Sequence, residues 1–413
     1  MAVSRPHSSE WRRGWPVVLG SAAMFATGPG LYQNLSSLFM ADLESALGLT
    51  RGQIATSAGL GLLGAFAAPL IGRLADRIGV VPVMVASVLV LAGAHGLLAA
   101  MSGPRWQFQL GIALLALSAP GFSALIFGRL IARRFDRHRG LALGVATTGL
   151  AVATLLLPPL LAFVIAEYGW RAGYLVLGGA ALLVGLPLAL IAVRAAGPPE
   201  SAIAPPESAI SSPAPVSGGS LSWRDVLFWR LAGSTMLINI GTVGMVTQLA
   251  QIGRDRGFSL TEAGLLLSAY ALSQIVGRLG IGVLIDRFPA NRMAALFGLV
   301  STVGFAALVP GEGGLALACV AVFCAGLLNG AEFDLLPYFA SRLFALETYG
   351  ELYGRLLMLA ILGSATGIVG FGWLRDFTGS YAMPLAVGCI AVLLASMLLL
   401  RLPAARADAN TTT

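Results

Sequence analysis

The sequence contains no lysine, so all 26 of its basic residues are arginine. Charge of either sign is also scarce: Asp, Glu and Arg together make up 11% of 413 positions. A soluble globular chain carries roughly 25%, because its surface must be wetted. With 57% hydrophobic residues there is no polar coat for so large a body, and lipid is the solvent that fits. Cysteine is limited to Cys319, Cys324 and Cys389, which lie in apolar stretches without metal-ligand spacing and read as small packing residues. The three histidines form no paired ligand set, and neither GxSxG, HExxH nor a phosphate-binding loop occurs. These absences argue against an enzyme, a metal site, a bound cofactor and direct ATP drive within this chain.

What the chain does have is long apolar runs. A spanning helix needs about 20 mostly apolar residues, and twelve such spans fit near 15–39, 52–72, 81–101, 106–130, 140–166, 171–193, 228–251, 262–284, 292–310, 315–341, 351–374 and 381–401. The expected fold is therefore an all-α polytopic membrane protein of twelve transmembrane helices. Met1 to Arg13 is polar, and the apolar stretch after it is too long for a signal-peptide core, so it reads as the first span. With the N-terminus in the cytoplasm, nineteen Arg fall on the cytoplasmic side, six outside and one within a span, accounting for all 26. Arg129, Arg133, Arg134, Arg137 and Arg139 form the densest cluster. This is the positive-inside bias that orients membrane proteins. No base-reading module accompanies the arginines, so the formal charge of +7 does not indicate a nucleic-acid partner.

Ala195 to Ser220 is rich in Pro, Ser and Ala and contains PPESAI twice, from Pro198 and from Pro205. Such a segment cannot bury a core and reads as a flexible cytoplasmic linker. It separates a first half, residues 1–194, from a second half, residues 221–413, each with six spans. The halves repeat. GRLADR begins at Gly72 and GVLIDR at Gly282, an offset of 210. Gly140, Gly144 and Gly169 recur as Gly350, Gly354 and Gly379 at the same offset. Six spans per half keep both in one orientation, so the repeat is parallel, with a pseudo-two-fold axis along the membrane normal and a central site between the halves.

The doubled GxLxDR motif, at a short cytoplasmic turn in each half, resembles the signature of the major facilitator superfamily. Its residues are Gly72, Asp76 and Arg77 in the first half and Gly282, Asp286 and Arg287 in the second. As a gate, Gly would permit close helix packing while the Asp–Arg pair caps and bridges helix ends. Gly14-Trp15-Pro16-Val17-Val18 at the first span resembles the start of monocarboxylate porters. RGLALGVATTG, from Arg139 to Gly149, and GWRAGYLVLGG, from Gly169 to Gly179, resemble that family's fifth span and the approach to its sixth. The chain thus resembles a bacterial member of the monocarboxylate and oxalate–formate branch. The resemblance implies a bacterial inner-membrane transporter working as a monomer on a small organic anion, with both termini cytoplasmic.

Arg278 is the one Arg inside a span, about one turn deeper than Gly282. A charge there costs at least ~2.5–3.5 kcal/mol on insertion scales and needs a partner or a wet cavity. Its planar fork matches a carboxylate, and the family's substrate-binding Arg stands at this place in the eighth span. The alternatives are an Arg snorkelling to the interface or pairing with an acid to hold two helices together. Glu332 and Asp334, in the tenth span, point about 200° apart on a helix and cannot both face one cavity. Either could be a counter-ion to Arg278, a proton carrier, or a structural link to the Asp286–Arg287 turn. Gln33 stands where monocarboxylate porters have Lys, and Gln274 where they have an acid, so their charge pairing does not carry over.

In superfamily geometry the first, fourth, seventh and tenth spans line the cavity. Tyr32, Gln33 and Asn34, beside the breaker Pro29-Gly30, and Asn239, Thr242, Thr247 and Gln248 are the polar groups there, with Asn329 similar. Each can touch substrate or hold helices together. His95, in the third span, reads as a satisfied packing residue. The function expected is secondary transport of small organic anions, chiefly monocarboxylates, by alternating access, with proton symport the leading coupling and uniport or anion exchange the alternatives. The rivals are an exporter of drugs or other amphiphiles, against which the fifth span lacks a Gly-Pro-Gly-Gly pattern, and a non-transporting membrane sensor, for which no extra folded domain is present.

Overall fold

The computed structural model describes residues 9–135, 138–197, 225–285, 287–344 and 349–403. Most of the linker segment, together with Asp286, lies outside the described residues. Those described are helical, in the order α1 Ser9–Thr27, α2 Pro29–Leu35, α3 Met40–Leu47, α4 Arg51–Ala58, α5 Leu62–Ile78, α6 Val80–Ala100, α7 Arg105–Ser118, α8 Ala124–Ala132 and α9 Arg139–Tyr168. There follow α10 Trp170–Ala180, α11 Leu186–Ala196, α12 Val226–Val246, α13 Leu249–Asp255, α14 Leu260–Ile285, α15 Ala290–Leu308, α16 Leu315–Leu343, α17 Tyr349–Thr378 and α18 Ala382–Leu400.

Ten helical stretches among the described residues are long and apolar enough to cross a membrane. They match the expected third to twelfth spans. The first two are present as successions of shorter helices. α1 stops at Gly28, whose extended backbone (ψ 179°) leads into Pro29 at the start of α2, where a missing N–H and a preset φ suit a new helix. A 3₁₀ turn at Ser36–Phe39 separates α2 from α3, and another at Gly59–Gly61 separates α4 from α5.

The sequence repeat is also a repeat of helix ends. α6 and α15 start 210 residues apart, as do α7 and α16, and α9 and α17 both start and end 210 apart. Shifted by 210, the turn at Ser36–Phe39 falls on 246–249, where α12 gives way to α13. Gly169 and Gly379 repeat because each ends a helix with a left-handed backbone, at φ 81° and 70°, that an L side chain rarely adopts. Their N–H groups close on the carbonyls of Ile165 and Arg375.

By contacts the chain forms two compact units. One comprises Met1–Gly48 with Leu60–Ala209, and the other Leu49–Gly59 with Ile210–Thr413. In unit 1, α1 packs on α9 and α11, and α6 packs on α7 and α10. In unit 2 the main pairs are α14 with α16, α12 with α17, and α15 with α16 and α18. The short α4 packs on α17 and so belongs to unit 2 by contact, although its sequence position is in the first half. Both units turn large apolar side chains outward, Leu183 and Phe377 among them, as a lipid-facing surface requires.

Without a hydrophobic drive between helices in lipid, close association relies on small residues that let backbones meet. A Cβ at Gly330 of α16 would stand 2.6 Å from the Gln274 carbonyl oxygen of α14, and one at Gly367 of α17 would strike the Ile240 carbonyl of α12. Gly282 is different: nothing lies within 4 Å of a Cβ placed there. The close-packing role assigned to that motif glycine therefore does not hold. Gly330→Val should lower stability by about 1–3 kcal/mol through overpacking, while Gly282→Ala, inside a helix with free space, should raise it by about 0.5–1 kcal/mol. Thermal unfolding of the purified variants in detergent measures both.

Candidate functional site

Four helices of unit 2 direct polar side chains at one carboxyl group. Glu332, on α16, is buried and accepts from Asn239 Nδ2 of α12 at 2.9 and 3.1 Å, one bond to each carboxylate oxygen. Asn329, one turn earlier on α16, adds a longer contact at 3.4 Å. Tyr270 of α14 donates to Asn329 Oδ1 at 3.1 Å, and Ser364 of α17 donates to Asn239 Oδ1 at 3.1 Å. The amides on Glu332 are neutral, and the Tyr270 and Ser364 hydroxyls hold those amides from behind. Polar groups at this depth have no bulk water to turn to, so their hydrogen bonds must come from neighbouring helices.

Arg278 and Asp334 form a second arrangement on the same pair of helices. Arg278 Nε lies 3.4 Å from Asp334 Oδ1, joining α14 to α16, and the guanidinium sits 5.3 Å from the Phe333 ring centre. Both side chains are partly exposed, at 31% and 37%, so the pair is open where Glu332 is closed. The two acids, two residues apart, thus serve different clusters, as their opposed directions on a helix demand. Gln274, one turn before Arg278, donates to the Gly326 carbonyl at 3.4 Å.

The other residues singled out in the sequence separate. Gln248 is fully buried, but its Oε1 accepts from Tyr381 at 2.8 Å rather than joining Asn239, and its Nε2 meets no partner among the described residues. In unit 1, Tyr32 meets Tyr174, hydroxyl to hydroxyl, at 3.4 Å, and Asn34 donates to Thr154 at 3.1 Å. Gln33 between them is exposed. His95 is buried against both tyrosine rings and is only half satisfied: Nδ1 meets the Leu91 carbonyl at 2.9 Å, while Nε2 meets no partner among the described residues. Of the gate motifs, Gly72 is buried in α5, Arg77 is in its exposed last turn, and Arg287 is exposed just past α14. The Asp76 side chain lies outside the described residues, as Asp286 does.

Tyr270 and Ser364 are functional-site neighbours that sequence reasoning missed. Neither breaks a hydrophobic pattern in the way a charge does. Ser364 follows Gly363, and that pairing of small residues on α17 was the available signal.

The sequence profile described as the Major Facilitator Superfamily matches residues 21–251 and 231–413. The chain belongs to the major facilitator superfamily. Monocarboxylate transporter 13 of Bos taurus is 28% identical to it, over 97% of this chain and 91% of its own length. Monocarboxylate transporter 11 of Homo sapiens is 31% identical, over 97% and 84%. These relatives place the chain in the monocarboxylate-type branch of the superfamily. Among solved structures, a bacterial homolog to the human lysosomal transporter Spinster, inward-facing and unoccupied, matches with a TM-score of 0.67 at 15% identity, covering 94% of this chain and 96% of that one. The nucleoside transporter NupG matches at 0.71 and 12% identity, covering 94% and 98%. At such identities the likeness concerns the fold alone. Twelve helices are the norm in this superfamily, and the ten long apolar stretches among the described residues, with the two spans built of shorter helices, make up that number. Its members are transporters, not enzymes, so this is a multi-pass membrane protein that carries small molecules across lipid.

Asn239→Leu strips Glu332 of its two-oxygen donor. It should destabilise the protein by about 1–3 kcal/mol, the cost of leaving a buried acceptor unpaired. Glu332→Leu combined with Asn239→Leu should recover part of that loss, because neither partner is then stranded. Detergent-phase thermal unfolding of the single and double variants checks the pattern.

Proposed function

We propose that this superfamily member is a secondary active transporter of small organic anions, specifically monocarboxylates, working by alternating access with proton coupling. The observation that carries the proposal is the division of labour between two acids on α16. Asp334 neutralises Arg278 in a partly exposed pair, and Glu332 sits apart in a cage of neutral donors. A substrate carboxylate can take the place of Asp334 on the Arg278 fork, since both present two oxygens to a planar donor. Glu332, bonded to neutral amides and paired with no cation among the described residues, is the group whose charge the surroundings balance least. It is therefore assigned to exchange the coupled proton. The relatives support the substrate class: both are monocarboxylate transporters aligned over nearly this whole chain.

In this reading the two sequence halves rock about the site, with the doubled Gly-Asp-Arg motifs at the cytoplasmic gate and Asn239 lining the substrate path. Of the other lining candidates, Gln33 is exposed, whereas Gln248 is buried against Tyr381, Tyr32 meets Tyr174 and Asn34 holds Thr154. The protein acts as a monomer in a bacterial inner membrane. The bias of arginines to one side supports cytoplasmic termini.

Uptake by reconstituted protein tests the assignments. Arg278→Lys should lose most carboxylate uptake, because a point charge replaces the fork. Glu332→Gln should retain exchange of labelled substrate but lose stimulation by an inward proton gradient. Full gradient stimulation in Glu332→Gln would remove the proton role from this residue, and undiminished uptake by Arg278→Lys across a carboxylate panel would end the substrate role of Arg278.

A further inference from the structure

Unit 2 contains a cavity of about 440 Å³ that none of the roles above uses. It forms where the end of α13, the α15–α16 connection and the α17–α18 connection meet, and its lining includes Asp255, Arg256, Val309, Arg375 and Tyr381. The volume is within the ~300–1,000 Å³ range of small-molecule sites.

The charges around it do not balance. Asp255 is the shared acid: Arg375 donates to it at 2.9 and 3.1 Å, and Arg51 of α4 stands 3.5 Å away. Arg51 and Arg375 both lie against the Tyr381 ring, 5.5 and 5.4 Å from its centre. Asp376, next to Arg375, is engaged by the backbone N–H of Gly52 at 2.8 Å. Glu312 follows the α15–α16 turn but is exposed and does not line the cavity. Among the described residues no carboxylate is paired with Arg256. It is half-buried, and its guanidinium is held by the Leu308 carbonyl. Burial disfavours its charge and lowers its pKa from the usual arginine value. A partly desolvated guanidinium facing a cavity of ligand size, beside an Asp already shared by two other arginines, is a site in want of an anion.

We propose that this cavity is a second carboxylate site, separate from the Arg278–Asp334 pair, in which Arg256 binds a small organic anion. The Asp255–Arg375–Arg51 cluster, braced on Tyr381, forms its fixed wall. Arg256 has donors to spare beyond the one on Leu308, and a bidentate carboxylate matches them. The proposal takes only its ligand class from the transport reading. The arginines also predict selectivity: a neutral amide of the same shape cannot replace the anion.

The test uses full-length purified protein in detergent, with Cys319, Cys324 and Cys389 replaced by Ala, Val309→Cys as a reporter, and Arg278→Gln to remove the other carboxylate site. Pyruvate should slow maleimide labelling of the reporter by about tenfold, the scale of one charge-assisted hydrogen bond. Pyruvamide should not. Arg256→Gln should abolish protection, read against that variant's own rate without pyruvate. If that rate shifts, showing a disturbed fold, Arg256→Lys decides: it retains the charge and should keep part of the protection. Labelling indifferent to pyruvate, protection surviving Arg256→Gln, or equal protection by pyruvamide each overturns the proposal. Absent uptake with protection intact would count against the transport reading alone. Uptake that depends on Arg278, with protection missing, would count against the second site alone.

Discussion

A carboxyl group at lipid depth has to be met by donors from the protein, and the cage around Glu332 sets how closely four helices of unit 2 approach. Asn239 can reach both oxygens of Glu332 only if α12 comes close to α16, and Ser364 can reach Asn239 only if α17 lies against α12. Glycine makes the second approach possible, since Gly363 and Gly367 set the backbone of α17 on the Met236 and Ile240 carbonyls of α12. Gly326 and Gly330 do the same for α16 against α14. Polar satisfaction and small-residue packing are thus two sides of one constraint: without the close approach the hydrogen bonds fail, and in lipid nothing else replaces them.

The same constraint explains why a duplicated scaffold carries unduplicated chemistry. Helix ends recur at an offset of 210 because they are fixed by backbone needs that both halves share, such as the left-handed caps at Gly169 and Gly379. Charges answer to their neighbours instead. Arg278 has a partner in Asp334, and Glu332 has its ring of amides, whereas the corresponding positions Ala68, Phe122 and Ala124 are apolar. Unit 1 puts its buried polar groups into an aromatic cluster, where Tyr32, Tyr174 and His95 pack edge to face and ring to ring. One half has kept the scaffold with aromatic packing, and the other has specialised it for holding acids and a base.

Residue by residue, legibility followed cost. Arg278, Glu332 and Asp334 stood out because a charge in an apolar run is expensive, and Asn239 and Asn329 because amides at that depth need partners. Pro29 gave away the break in the first span, since it lacks an N–H and so begins a helix better than it continues one. Tyr270 and Ser364 were invisible because a tyrosine or a serine in a membrane helix is unremarkable until its neighbour is known. Gln248 looked like a companion of Asn239 by helix position, but the chain breaks at Thr247–Gln248, so its side chain meets Tyr381 instead. The second break, at Gly59–Gly61, left α4 with unit 2, a contact that no local pattern could announce.

By itself the sequence determined that this chain lives in lipid, that it is built twice, and which few residues carry charge inside the membrane. Composition, periodicity and offset are properties of the chain before it folds. Tertiary structure alone decided which acid faces Arg278 and which is closed among amides. It also left Arg256 beside a cavity with no acid paired to it among the described residues. Those outcomes depend on which helices touch and at what distance, and two residues on one helix can meet quite different neighbours when they point to opposite sides.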